Sequence, residues 1–217
     1  MNMDLYVITD TTLSQGRSHE EIARLAIEGG ADVVQIRDKE CSARELVAAG
    51  KRVREVTKRT GTLFIVNDHL DAALACGADG VHLGQDDLPV ATARAIAPPG
   101  FIIGVSVGSA DEARKAVEDG ADYLAASPVF FTAQKTDVKI HCGLEGIRRI
   151  RAATSLPVIA IGGIGMDNVC GVIGAGADGV AVISAVVGQQ DITGAARALK
   201  NRIKECKAGR VHIQDDS

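Results

Sequence analysis

The chain has 217 residues, 46% apolar and 24% charged, with a formal net charge of −4, a size and composition that carry one domain or at most two around a full core. An acidic balance, 24 scattered Lys and Arg, and only two Tyr, four Phe and no Trp exclude a nucleic-acid-binding protein, which needs a basic face and stacking rings. No apolar run reaches membrane-spanning length, and Met1-Asn2-Met3-Asp4 leads into a strand-like segment without a basic region or cleavage site, so a cytoplasmic protein with no membrane partner is expected.

The short apolar run Leu5-Tyr6-Val7-Ile8-Thr9 predicts a first strand, and Ser18 to Ile27 predicts a helix whose Ser18 and Glu21 are spaced as a capping box. Gly29-Gly30-Ala31-Asp32-Val33-Val34 then ends that helix on a glycine suited to the left-handed conformation and turns through Ala-Asp into a second, buried strand. The same pattern returns at Gly77-Ala78-Asp79-Gly80-Val81, Gly120-Ala121-Asp122-Tyr123-Leu124 and Gly176-Ala177-Asp178-Gly179-Val180, at intervals of 47, 43 and 56 residues from Gly30 onward. Such recurrence predicts one copy for every two strand-helix units. Between the copies lie helices over Ser42 to Arg59, Asp111 to Glu118 and Leu144 to Thr154. Further strands are predicted at Leu63 to Asn67, Phe101 to Ser106 and Pro157 to Gly162.

Eight strands alternating with eight helices imply parallel pairing with right-handed crossovers. The count of eight, the even spacing and the absence of an early G-x-G-x-x-G favour closure, so the expected fold is α/β, a single (βα)8 TIM barrel over residues 1–206. A long loop, Pro128 to Gly143, and a polar tail at 207–217, expected as disordered or as a weak surface contact, follow from the same reading. Five widely spaced cysteines, Cys41, Cys76, Cys142, Cys170 and Cys206, form no C-x-x-C pair and are expected as reduced, half-buried apolar side chains.

In a barrel the C-terminal strand ends share one rim, where barrel enzymes hold substrate. Here that rim collects Gln35-Ile36-Arg37-Asp38-Lys39, Asn67-Asp68, Asp87, Ser106, Thr132 and Lys135, Gly162-Gly163, and Ile183-Ser184. Asp68 and Asp87 are hard oxygen ligands suited to Mg²⁺ that keeps waters and completes its shell with phosphate oxygens; each alone could instead cap a helix. Arg37, Lys39 and Lys135 suit a diphosphate. The glycine turn before a helix expected from Met166, beside a second helical start at Ile183-Ser184, suits a phosphate monoester. His82, within a strand, and His69, opening a helix, read as structural.

These segments resemble the thiamine phosphate synthase family over nearly the whole chain. The resemblance is most specific at Gln35 to Lys39, Ile65-Val66-Asn67-Asp68, Gly80 to Asp87, Gly104-Val105-Ser106 and Ile161-Gly162-Gly163-Ile164. It implies a magnesium-dependent transferase with two partners, a phosphorylated pyrimidine and a thiazole phosphate. Gln35, Arg37, Lys39, Asn67, Ser106 and Lys135 would hold the pyrimidine diphosphate, and Asp68 and Asp87 the metal. Thr132, Ala133, Gln134, Gly163, Ile183 and Ser184 would hold the thiazole phosphate, with Ile36 and Asp38 in the same substrate-contacting segment. Arg37, Lys39, Ser106 and Lys135 would carry the chemistry. The chain departs from the family's pattern at Asp38, where Glu is usual, at Gly108, where His is usual, and at Gln134, where a hydroxyl is usual. A thiazole tautomerase-like barrel or a non-catalytic phosphate-binding paralogue are the alternatives; retention of both Asp68 and Asp87 argues against them. Nothing in the sequence excludes a homo-oligomer.

Overall fold

A computed structural model describes residues 1–131 and 141–214, with side chains of the last helix to residue 209. Strand and helix alternate throughout: β1 (Leu5–Ile8), α1 (His19–Glu28), β2 (Val33–Ile36), α2 (Ala43–Thr57), β3 (Leu63–Asn67), α3 (Leu70–Cys76), β4 (Gly80–Leu83), α4 (Val90–Ile96), β5 (Ile102–Val107), α5 (Ala110–Glu118), β6 (Tyr123–Ala126), α6 (Gly143–Ala152), β7 (Val158–Ile161), α7 (Val169–Gly174), β8 (Gly179–Val182) and α8 (Ile192–Gln214). The strands pair parallel in chain order, and β8 returns to β1, closing the expected barrel. Among the described residues no helix is long and apolar enough to cross a membrane.

The two-residue period of each strand divides its side chains between two cores. Tyr6, Ile65, Ile102, Tyr123 and Ile159 fill the barrel interior. Val7, Val34, Ile36, Phe64 and Val66 point outward beneath the helices. Helix starts follow local signals: Ser42 and Glu45 complete a reciprocal capping box. Ser18 accepts from the Glu21 backbone, while the Glu21 side chain turns to Arg17, 3.9 Å away.

The fourfold Gly-Ala-Asp pattern has a physical role beyond its glycines, although Gly30, Gly77, Gly120 and Gly176 do take positive φ of 98°, 71°, 94° and 112°. Each repeat aspartate stands just before an even strand and accepts from a backbone N–H of the preceding odd strand. The pairs are Leu5 to Asp32 at 2.9 Å, Phe64 to Asp79 at 2.8 Å, Ile103 to Asp122 at 2.7 Å and Val158 to Asp178 at 2.8 Å. The aspartate's own N–H donates back to the same odd strand. An even helix then supplies a cation to each carboxylate: Lys200 of α8 to Asp32, Arg54 of α2 to Asp79, Arg94 of α4 to Asp122 and Arg151 of α6 to Asp178. One residue type thus ties two strands and a helix together four times around the N-terminal face.

The segment from Lys207, expected as a tail that is disordered or in weak surface contact, continues α8 as far as Gln214, and the Lys207 ammonium reaches Asp4. The expectation for the cysteines is corrected. Cys170 of α7 and Cys206 of α8 are joined by a disulfide with Cα atoms 5.1 Å apart, so not all five cysteines are reduced. A separation of 36 residues with no motif gave no sign of this; the packing of α7 against α8 creates it. Cys41, Cys76 and Cys142 are free.

Replacing Asp122 with Ala leaves the Ile103 N–H and Arg94 without their partner and is expected to destabilise the protein by about 1–3 kcal/mol in urea unfolding. Glu118→Ala, on the exposed side of α5, should stay within about 0.5 kcal/mol. Thiol titration in denaturant should count three groups without reductant and five after reduction.

Candidate functional site

A cavity of about 820 Å³, its open mouth included, occupies the C-terminal end of the barrel. Among the expected residues, Gln35, Arg37, Asn67, Ser106, Gly163, Ile183 and Ser184 line it. Strand parity explains the exceptions nearby. Gln35 and Arg37 face the cavity, whereas the Ile36 side chain between them is wholly buried under the helices, which leaves only its backbone to meet a substrate. Lys39 is exposed on the loop after β2 and lies close enough to favour the ionised form of Asp68. Thr132, Ala133, Gln134 and Lys135 fall outside the described residues.

Asp38 braces its own loop. Its carboxylate accepts from the backbone N–H of Glu40 at 3.0 Å and of Cys41 at 3.1 Å, and meets His19 Nε2 at 3.3 Å. Burial pushes its pKa upward, but these hydrogen bonds outweigh it and hold the carboxyl below its ordinary value. His19 is fixed in turn by Thr9, 2.7 Å away.

Asp68 and Asp87 come from the ends of β3 and β4, and neither caps a helix: α3 is capped at His69 and α4 at Pro89. Asp68 sits at φ 61°, a left-handed conformation that costs a non-glycine residue about 1–3 kcal/mol and is tolerated best by Asn and Asp. Asp87 accepts from the Gly84 N–H at 2.6 Å. Burial, with the Asp87 carboxyl beside it, pushes the Asp68 pKa up to about 6. Two carboxyls that resist joint ionisation are a place where a cation relieves repulsion. Among the described residues no group of three or more His, Cys, Asp or Glu could hold a metal. A cation here would therefore take its remaining ligands from water or from a bound anion, which fits Mg²⁺.

The turns after β7 and β8 lie side by side. Gly162 and Gly163 take φ of 109° and 63°, and a Cβ on either would press on Pro128 or Phe130 of the neighbouring loop. Asn168, which sequence reasoning passed over, accepts from Gly165 N–H at 2.9 Å and donates to the Gly163 carbonyl at 2.8 Å. Its G-x-x-N spacing is the signal that could have found it. The helix expected from Met166 begins at Val169. Ile183-Ser184 opens a turn instead of a helix, with the Val186 and Val187 N–H groups donating to the Ile183 carbonyl.

His82, expected as structural, has a place in the cavity wall. It lines the cavity from β4, with Nδ1 2.9 Å from the Tyr123 hydroxyl and Nε2 3.0 Å from Ser106 Oγ. Tyr123 reaches the Tyr6 hydroxyl at 3.0 Å, and Gln35 Nε2 donates to Tyr6 at 2.7 Å. A Cβ on Gly104 would overlap the Tyr123 ring, so this position has to be glycine.

The family model of thiamine monophosphate synthase matches residues 5–186. A thiamine-phosphate synthase from Methanoregula boonei is 61% identical over 95% of this chain and 96% of its own length. One from Methanoculleus marisnigri is 59% identical over 96% of this chain and 99% of its own. Among solved structures, thiamine phosphate pyrophosphorylase from Pyrococcus furiosus is 45% identical, with a TM-score of 0.87 covering 94% of this chain and 97% of that one.

The carboxylate pair makes stability depend on pH in a definite direction. The folded Asp68 carboxyl, at about 6, lies above its ordinary 3.8, so folding favours the protonated form. That contribution is complete below the ordinary value and disappears as pH rises through the folded one. In chelator, the urea midpoint of the wild type should fall relative to Asp68→Asn between about pH 4 and pH 7. A constant difference across that window would mean that the two carboxyls do not share a site.

Proposed function

The chain belongs to the thiamine monophosphate synthase family, and from that premise we propose that it joins hydroxymethylpyrimidine diphosphate to thiazole phosphate, yielding thiamine phosphate and diphosphate. The observation that carries this reading is the convergence of Arg37, Asn67 and Ser106 on one side of a cavity whose other side is the double turn at Gly163 and Ser184, with Asp68 next to Asn67 in the chain and Asp87 close enough to raise its pKa. One side suits a diphosphate with a divalent cation, the other a phosphate monoester.

In the proposed reaction, the bond between the pyrimidine methylene carbon and the diphosphate oxygen breaks, and its electron pair leaves with the diphosphate. The thiazole nitrogen then gives its lone pair to the methylene cation, forming the new C–N bond. No proton changes place, so no general base is required. Arg37, Lys39 and Lys135 would bind and neutralise the diphosphate as its charge grows, Arg37 through its planar fork and the lysines as point charges. Ser106 and Asn67 would orient it, and Gln35, recessed in the barrel, would hold the pyrimidine edge. The turn at Gly163, Ile183 and Ser184, with Thr132, Ala133 and Gln134, would fix the thiazole phosphate so that its nitrogen lies in line. Asp68 and Asp87 would hold Mg²⁺, which when bound supplies positive charge to the departing diphosphate. Recessing the methylene carbon in the barrel would keep water from capturing the cation first.

The test is formation of thiamine phosphate by purified protein from both substrates. Product is expected with Mg²⁺ and none with EDTA, and Asp87→Asn and Lys135→Ala should each lower turnover by about 100- to 1000-fold with an unchanged circular dichroism spectrum. Binding of the pyrimidine diphosphate without product would overturn the proposed second substrate.

A further inference from the structure

Five polar side chains, Gln35, Tyr6, Tyr123, His82 and Ser106, form one unbroken hydrogen-bonded row across the barrel interior, with steps of 2.7, 3.0, 2.9 and 3.0 Å. Only its two ends are groups to which the reaction gives a role. The three middle residues are the unexplained part. Tyr6 and Tyr123 are 1% and 0% exposed, and a barrel interior is ordinarily filled by apolar side chains.

The row has a direction. Burial raises the pKa of both phenols above the ordinary value, so each hydroxyl keeps one proton. Gln35 Nε2 donates to Tyr6. With that bond accepted, the Tyr6 proton is directed to the Tyr123 oxygen, and the Tyr123 proton to His82 Nδ1. An imidazole that accepts at Nδ1 carries its proton at Nε2, which then donates to Ser106 Oγ. Ser106 is left with its own proton to donate into the cavity, and Gln35 with its carbonyl oxygen to accept. Reversing any one bond would reverse them all, so the faces shown at the two ends are linked.

We propose that Tyr6, Tyr123 and His82 are positioning residues that act as a directional hydrogen-bond relay, coupling an acceptor face on Gln35 to a donor face on Ser106. The matching substrate carries an N–H donor on its ring edge and an anionic oxygen at its other end, as an amino-substituted heterocycle bearing a diphosphate does. The inference rests on the proposed reading of this cavity as the pyrimidine site, and it adds that the site reads both features together. A substrate with only one of them meets a row arranged for the other.

The test reads the His82 tautomer by ¹⁵N NMR in protein without substrate, the His82 signals being assigned by their loss in His82→Asn. The wild type should show a single Nε2–H tautomer. An Nδ1–H or doubly protonated ring would overturn the relay without any variant. Tyr6→Phe and Gln35→Met each remove a donor or link that does not touch His82, and in each the ring should become a mixture of tautomers; an unchanged spectrum in both would overturn the proposal. Tyr6→Phe should also raise KM for the pyrimidine diphosphate about five-fold while leaving KM for thiazole phosphate unchanged, whereas equal effects on both would reduce Tyr6 to packing. If the wild type makes no thiamine phosphate, the functional reading fails while the spectra still decide the relay.

Discussion

The structure depends on a carboxylate used four times: the repeat aspartate, which holds an odd strand by its N–H and an even helix by its cation. Parallel strands have to be joined through helices, and a barrel has to hold its register around a complete turn. Asp32, Asp79, Asp122 and Asp178 fix the start of every even strand relative to the odd strand before it. Each accepts a charge-assisted bond, about twice as strong as a neutral one. Because the arginine and lysine partners are only partly exposed, these pairs are screened less than ordinary surface ion pairs.

Fixing the N-terminal face frees the other. With register set below, the C-terminal strand ends can carry residues that are poor for folding. Asp68 takes a left-handed conformation and shares its site with a second carboxyl. Lys39 projects from a loop braced by Asp38 and His19. Asn168 shapes the turn after β7 by bonding to both of its ends. Strain and unrelieved charge collect where a ligand would bind, and the fold holds them in place from the far side.

Much of this was legible from the residues. Short apolar runs and the returning Gly-Ala-Asp gave eight strands and their order, and closure followed from the count. The rim was legible because chain order places every strand end on one face, so Gln35, Arg37, Asn67 and Ser106 could be grouped without coordinates. What could not be read depends on direction and on distant packing. Gln35 to Lys39 reads as one motif, yet parity sends Ile36 into the outer core and Asp38 into a loop brace. The repeat aspartate shows its position but not its two partners, since Arg94 and Asp122 lie 28 residues apart. Cys170 and Cys206 meet only because α7 packs on α8. His82 reads as a core histidine because its partners lie on other strands.

The polar row inside the barrel shows why such a residue is retained. A buried hydroxyl without a partner costs about 1–3 kcal/mol, and filling the same space with apolar side chains would be the simpler route to stability. Among the described residues no buried side-chain polar atom lacks a hydrogen bond, so the row is complete. A complete buried network specifies one arrangement, whereas a broken one leaves several of similar energy. Gly104 adds a second sign that the arrangement is selected for shape: it gives up a side chain in the middle of β5 to admit the Tyr123 ring. The interior is therefore organised from its floor upward, with apolar residues and clamps below, a directional polar layer above them, and the cavity above that.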